Sequence, residues 1–91
     1  MKRRRTIYEN YWEILTFCRT PRTFTSIINR CTLNSKIGQE HVGSLIKKGY
    51  IRRYDDEGRT VHQTTVKADG FISAFRDMYM ELFNKRPDFK L

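Results

Sequence analysis

Residues 25–51, TSIINRCTLNSKIGQEHVGSLIKKGYI, restrict what this chain can become more than any other stretch does. Ile27, Ile28 and Cys31 recur at helical spacing, so a first short helix can bury one stripe. Thr25 is placed to cap it, its hydroxyl accepting from a backbone N–H left free in the first turn. After Thr32 and Leu33, either Asn34 or Ser35 can cap a second helix whose apolar positions are Ile37, Val42, Leu45 and Ile46. Its other face carries Ser35, Lys36, Gln39, Glu40, Gly43 and Lys47, all small or polar. Gly49 can end the helix in the left-handed conformation, behind two lysines that suit the negative end of the helix dipole. A short helix, a turn and a second helix with a polar outer face form the helix-turn-helix pattern of a DNA reader.

The rest of the chain falls into place around that unit. Residues 1–5, MKRRR, are a basic arm with nothing to bury: either a solvated terminus or a strand of cations laid along phosphates or in a minor groove. Residues 6–18 predict a helix with a wide apolar face. Positions 7, 11, 14 and 18 form one row and 8, 12 and 15 another, leaving Glu9, Asn10, Glu13 and Thr16 for the opposite side. Pro21 breaks that helix, and Phe24 reads as a core residue at the entrance to the next, within a one- or two-residue strand. Residues 50–54 and 60–66 are β-branched and aromatic, and the turn cluster between them includes Gly58. This predicts a hairpin where a winged-helix protein has its wing. Arg52, Arg53 and Arg59 can reach phosphates from it, whereas Asp55, Asp56 and Glu57 should hold its tip away from DNA. Residues 68–84 predict a last helix with Phe71, Phe75, Met78 and Leu82 in one seam and Ile72, Tyr79 and Phe83 beside it. One row can pack on the body. The other needs a partner, and a second copy of the same helix is the expected one. Pro87 ends the ordered part.

The division is therefore a basic arm (1–5), a winged helix-turn-helix domain (6–66), a C-terminal dimerisation helix (67–84) and a flexible tail (85–91): mainly α with a β-hairpin. Charge follows it. Of 18 Lys/Arg and 10 Asp/Glu, residues 1–67 hold 14 and 6, while residues 68–91 hold 4 of each. The net +8 thus lies on the body containing the helix-turn-helix, as expected of a polyanion-binding surface with a separate tail. No stretch approaches the roughly 20 apolar residues of a membrane span, and the start lacks the apolar core of a secretion signal. A soluble cytoplasmic protein is expected. Cys18 and Cys31 are too few for a disulfide scaffold and fall at apolar positions, so they read as reduced core residues, a bridge between the first two helices being the alternative.

Taken together, these elements resemble the small archaeal winged-helix proteins, which include transcriptional regulators, chromatin-associated proteins and relatives carried by archaeal viruses. The resemblance covers roughly residues 4–84. Its most specific part is the pattern Thr25, Ile27, Cys31, Leu33, Leu45 and Gly49. VKADGF also looks like the family's entry to the last helix, with Val66 at a buried position and Gly70 at the usual glycine. The chain departs from the family at Gly38 and His41, where a bulky apolar or aromatic residue is usual, and at Lys67, where a capping Thr is usual. The first two departures imply looser packing of the reading helix. The resemblance implies a winged-helix fold, duplex DNA as ligand and a dimer made by antiparallel pairing of the last helices.

No catalytic constellation emerges: His41 and His62 are isolated, and no Cys or His pair has zinc-ligand spacing. Neither an enzyme nor a cofactor is expected. The binding surface reads residue by residue. Ser35, Lys36, Gln39, Glu40 and Gly43 would face base edges, with Gln39 suited to adenine and Lys36 to guanine or a phosphate. Arg3, Arg4, Arg5, Arg22, Arg30, Lys47, Arg52, Arg53 and Arg59 would hold phosphates. Phe71, Ile72, Phe75, Met78, Tyr79, Leu82 and Phe83 would form the dimer interface. The competing readings are a sequence-independent chromatin protein, a winged helix used only for protein contacts, and a binder of structured RNA or single strands.

Overall fold

The computed structural model describes residues 6–87, so the arginines of the basic arm and the last four residues of the tail lie outside the described residues. Within them the chain forms α1 (Ile7–Phe17), α2 (Phe24–Arg30), α3 (Ser35–Lys47), β1 (Ile51–Asp56), β2 (Arg59–Thr64), a 3₁₀ turn (Val66–Ala68) and α4 (Asp69–Phe83).

Local chemistry sets the boundaries. Thr6 and Glu9 form a reciprocal capping box on α1: the Thr6 hydroxyl accepts from the Glu9 N–H at 3.1 Å, and the Glu9 carboxylate accepts from the Thr6 N–H at 2.8 Å. α2 is capped by Thr23, whose hydroxyl accepts from the Ser26 N–H at 3.3 Å, and not by Thr25. Starting the helix two residues early brings Phe24 onto the stripe of Ile27, Ile28 and Cys31, at spacings of three, four and seven. Asn34 caps α3, accepting from the Ile37 N–H at 2.8 Å. Both helices of the motif end alike. The N–H of Leu33 reaches the Ile28 carbonyl at 2.9 Å, and that of Tyr50 reaches Leu45 at 2.9 Å, each around a left-handed residue. At the second that residue is Gly49. At the first it is Thr32, with φ 56°, a conformation that strains a β-branched side chain.

The hairpin is antiparallel, with Ile51 paired to Thr64 and Asp56 to Arg59. Only Glu57 and Gly58 intervene, both at positive φ, as the two-residue turn matched to strand twist requires. The short strand expected near Phe24 is Arg22 alone, which exchanges two backbone hydrogen bonds with His62 at 3.0 and 2.7 Å. Thr64 then fastens the wing to the end of α1, donating its N–H to the Cys18 carbonyl and its hydroxyl to that of Leu15.

The core gathers Ile14 and Leu15 from α1 and Cys18 at its C-cap, Ile27 and Cys31 around α2, Val42 and Leu45 from α3, Ile51, Ala68 and Ile72. Cys18 and Cys31 are fully buried and unbridged, and burial pushes the Cys18 thiol up to about 12. α1 is the central rod, lying against α3, α4 and β2. Its orientation differs from the sequence expectation. Glu9 and Glu13 are buried, while Ile7 and Tyr8 are exposed. Glu9 is spent on the capping box, and Glu13 pairs with Arg30 at 3.2 Å, so neither carboxylate is buried without compensation.

α4 packs on α1 through Ile72, Phe75 and Tyr79, where Trp12 stacks on Phe75 and donates its indole N–H to the Ile72 carbonyl. The inward residues come from both predicted rows, since a helix on a rod turns one angular sector inward and a 3.6-residue period assigns that sector. Val66 is 86% exposed, contrary to the position implied by the family resemblance, because the 3₁₀ turn directs Ala68 inward in its place.

Candidate nucleic-acid interface

On α3, Gly38, Val42 and Leu45 are buried, while Ser35, Lys36, Gln39, Glu40, Gly43 and Lys47 are exposed. Lys36, Gln39, Gly43 and Lys47 succeed one another by three, four and four residues, so they make one continuous stripe. Gly38 does not loosen the seat of this helix. A Cβ there would lie 2.5 Å from Cγ2 of Ile28 and 3.3 Å from the Phe24 ring, so a glycine is what lets α2 and α3 approach this closely. At Gly43 the reverse holds: nothing lies within 4 Å of where a Cβ would be, and the space is open.

The cations divide by what already holds them. Arg22 donates its Nε–H to the Phe17 carbonyl at 3.1 Å and lies 4.1 Å over the Phe17 ring, so it closes the end of α1. Arg30 is paired to Glu13. Arg52 lies 4.3 Å over the Tyr54 ring and donates to Gln63 at 3.3 Å. Lys36, Lys47, Arg53 and Arg59 are exposed and form no ion pair among the described residues. Sequence reasoning treats these arginines alike; composition carries no sign of which are engaged within the fold.

Strand alternation separates neighbours on the wing. Ile51, Arg53 and Asp55 share one face with Thr60, His62 and Thr64, and that face is turned toward α3. Between wing and helix runs a cleft of about 370 Å³ lined by Gln39, Gly43, Arg53, Thr60 and His62, with Phe24, Val42 and Ile46 beneath. The side chains that sequence reasoning missed here are Thr60 and His62. The hairpin register places them opposite Asp55 and Arg53, a relation visible in sequence only once the turn is known to be Glu57–Gly58.

Both histidines are held toward their neutral form. Burial lowers the pKa of His62 and Arg53 lowers it further, against a hydrogen bond to the Arg22 backbone that favours the proton. Burial lowers that of His41, opposed by Glu40; its ring meets Tyr11 edge-on at 5.3 Å, and Nε2 lies 3.3 Å from the Asn10 amide nitrogen. In the unfolded chain both would regain the ordinary value of 6.5. The unfolded state then binds more protons just below that value, so stability should be full above it and decline as pH falls through the lower native values. Urea midpoints at about pH 7.5 and about pH 5.5 check this, with a lower midpoint expected in acid.

These features define a winged helix-turn-helix protein: a turned pair of helices with an uncovered second helix, a hairpin wing beside it and a long terminal helix. Solved structures carry the same architecture. The chain superposes on Sso10a-2, a DNA-binding protein from Sulfolobus solfataricus, with a TM-score of 0.78 and 20% identity, covering 88% of this chain and 84% of that one. It superposes on MepR, a transcription regulator of the Staphylococcus aureus multidrug efflux pump MepA, at 0.72 and 18% identity over 82% of this chain. BldR, a transcriptional regulator from Sulfolobus solfataricus, matches at 0.67 and 19% identity over 86%. The chain spans 59% of the MepR chain and 61% of the BldR chain. No protein-family model and no curated protein sequence matches it. At such identities the likeness establishes the fold.

Proposed function

We propose that this protein binds duplex DNA as a homodimer, laying α3 in the major groove with the flanks of the wing on phosphates. One observation carries the reading above the others. The polar and cationic stripe of α3 is uncovered along its whole length while the opposite face is locked into the core. A single α-helix fits the major groove, where base edges present distinguishable donors and acceptors. In this reading Ser35, Lys36, Gln39, Glu40 and Gly43 meet the bases, and Lys47, Arg53 and Arg59 hold phosphates. Two structural neighbours, described as a DNA-binding protein and a regulator, support it. The acidic wing tip stays outside the groove.

The dimer is inferred from α4. Met78, Leu82 and Phe83 are exposed, and Met78 and Phe83 border, with Tyr8 and Phe71, an apolar groove of about 490 Å³ beside Phe75 and Tyr79. A second copy of α4 is the occupant this reading assigns, which would make the active species a regulator gripping two half-sites.

Titration of labelled duplexes selected from a random pool, at several salt concentrations, tests the whole reading. Log affinity should fall steeply and linearly with log salt. Gln39→Ala should cost roughly 1–3 kcal/mol on the selected sequence alone. If it weakens random duplex equally, α3 does not read bases and the protein is a sequence-independent coat; if no duplex binds, the DNA reading falls.

A further inference from the structure

The cleft between α3 and the wing holds a feature that phosphate binding by exposed cations does not use. At its floor His62 is only 4% exposed. Its Nδ1 lies 3.3 Å from the Arg22 carbonyl oxygen, which accepts but cannot donate, so Nδ1 carries the hydrogen. Nε2 of the neutral ring is then an acceptor, to which no hydrogen bond forms among the described residues. Around it the walls offer donors: the Arg53 guanidinium opposite in the strand register and the Gln39 amide, while the Thr60 hydroxyl donates to the Asp55 carboxylate at 3.2 Å. Gly43 adds no side chain to obstruct the mouth.

Resting on the DNA reading above, the geometry points to this cleft as the seat of one backbone phosphate, which enters together with a proton taken up on Nε2 of His62. The groups facing His62 are few. β1 supplies Arg53 and, further along the same face and bonded to Thr60, the Asp55 carboxylate; the Arg22 segment supplies a carbonyl with its guanidinium turned to Phe17, and α3 supplies the uncharged Gln39, Val42, Gly43 and Ile46. Arg53 is therefore the charge that opposes protonation of the empty cleft. A phosphate offsets the Arg53 charge and attracts the proton in its own right, so the net charge effect on the ring reverses on binding. The ring then becomes a donor on both nitrogens, one to Arg22 and one to the phosphate. Gln39 and Gly43 also belong to the stripe assigned to the groove, so a strand passing between helix and wing crosses the cleft mouth.

The experiment uses the full chain and a fluorescein-labelled random-sequence duplex, read by anisotropy at fixed salt at about pH 8 and about pH 5.5. Wild type should tighten about tenfold more over that range than His62→Gln does, the change that a one-unit rise in one bound group's pKa produces. His41→Gln, altering the other histidine, should retain the wild-type response. The ¹⁵N signals of the His62 ring in the wild-type protein supply a reading independent of any variant's folding: the titration should move to higher pH when duplex is added. Duplex binding with an unmoved His62 titration, or an unchanged pH response in His62→Gln, overturns the phosphate seat and leaves the DNA reading standing. Absence of duplex binding at both pH values removes the DNA reading itself.

Discussion

Placing glutamate at both Met78 and Leu82 should leave the domain folded, convert it to a monomer and weaken binding to a two-half-site duplex by roughly 10²–10⁴-fold. The two side chains stand one helical turn apart on the outward side of α4, 49% and 65% exposed, while Ile72, Phe75 and Tyr79 hold the helix to Trp12 and the body. Charges at those positions are solvated in a monomer and desolvated in a dimer, so the cost falls on association alone. Two reading helices on one particle turn the second engagement into an intramolecular event, and losing it accounts for the expected fall in affinity. Sedimentation equilibrium gives the mass, circular dichroism the fold, and anisotropy the affinity. A wild-type protein that sediments as a monomer, or a variant that remains dimeric, would remove α4 from the interface.

Much of the frame was legible in the chain because short-range chemistry dictates it. Spacings of three and four marked α2, α3 and α4, Asn34 and Gly49 bracketed α3, and β-branched runs around Gly58 marked the wing. Where two residues offer the same chemistry, local rules do not choose. Thr23 and Thr25 are both competent caps, and Thr23 prevails because only that start brings Phe24 into the apolar stripe. α1 shows a stronger limit. Its amphipathic pattern assumes one buried side, but a helix enclosed by α3, α4 and β2 has several, and Glu9 and Glu13 are tolerated there through partners at sequence separations of three and seventeen. Periodicity alone contains no term for such partners.

The candidate interface divides in the same way. The stripe of Lys36, Gln39, Gly43 and Lys47 follows from helical geometry, so its exposure was foreseeable. The state of each arginine was not. Arg22, Arg30 and Arg52 are tied to Phe17, Glu13 and Gln63, at separations of five, seventeen and eleven residues, while the neighbouring Arg53 faces a cleft. Gly38 is the sharpest case. Set against the family pattern it suggests a void, yet Ile28 and Phe24 fill the space that a larger residue would claim.

Leu45→Ala should destabilise the fold by roughly 2–5 kcal/mol, and its effect on DNA binding should come entirely through folding. Leu45 is fully buried where α3 meets the core, and its side chain lies on the face opposite Lys36, Gln39 and Gly43. Removing three carbons there leaves a cavity that neighbours on α1, α2 and β1 can close only in part, since their backbones are held by caps and ladder hydrogen bonds. Domains typically have about 5–15 kcal/mol in total, and one this small sits toward the low end, so the loss would bring the variant close to its unfolding midpoint at ordinary temperature. Leu45→Met keeps the volume and should cost less than about 1.5 kcal/mol. Urea unfolding measures both losses, and duplex titration then separates seat from surface. Affinity per folded molecule should match wild type in both variants. A Leu45→Ala protein that is fully folded yet fails to bind would show that the core beneath α3 sets the aim of its outer face, and that the exposed stripe alone does not specify recognition.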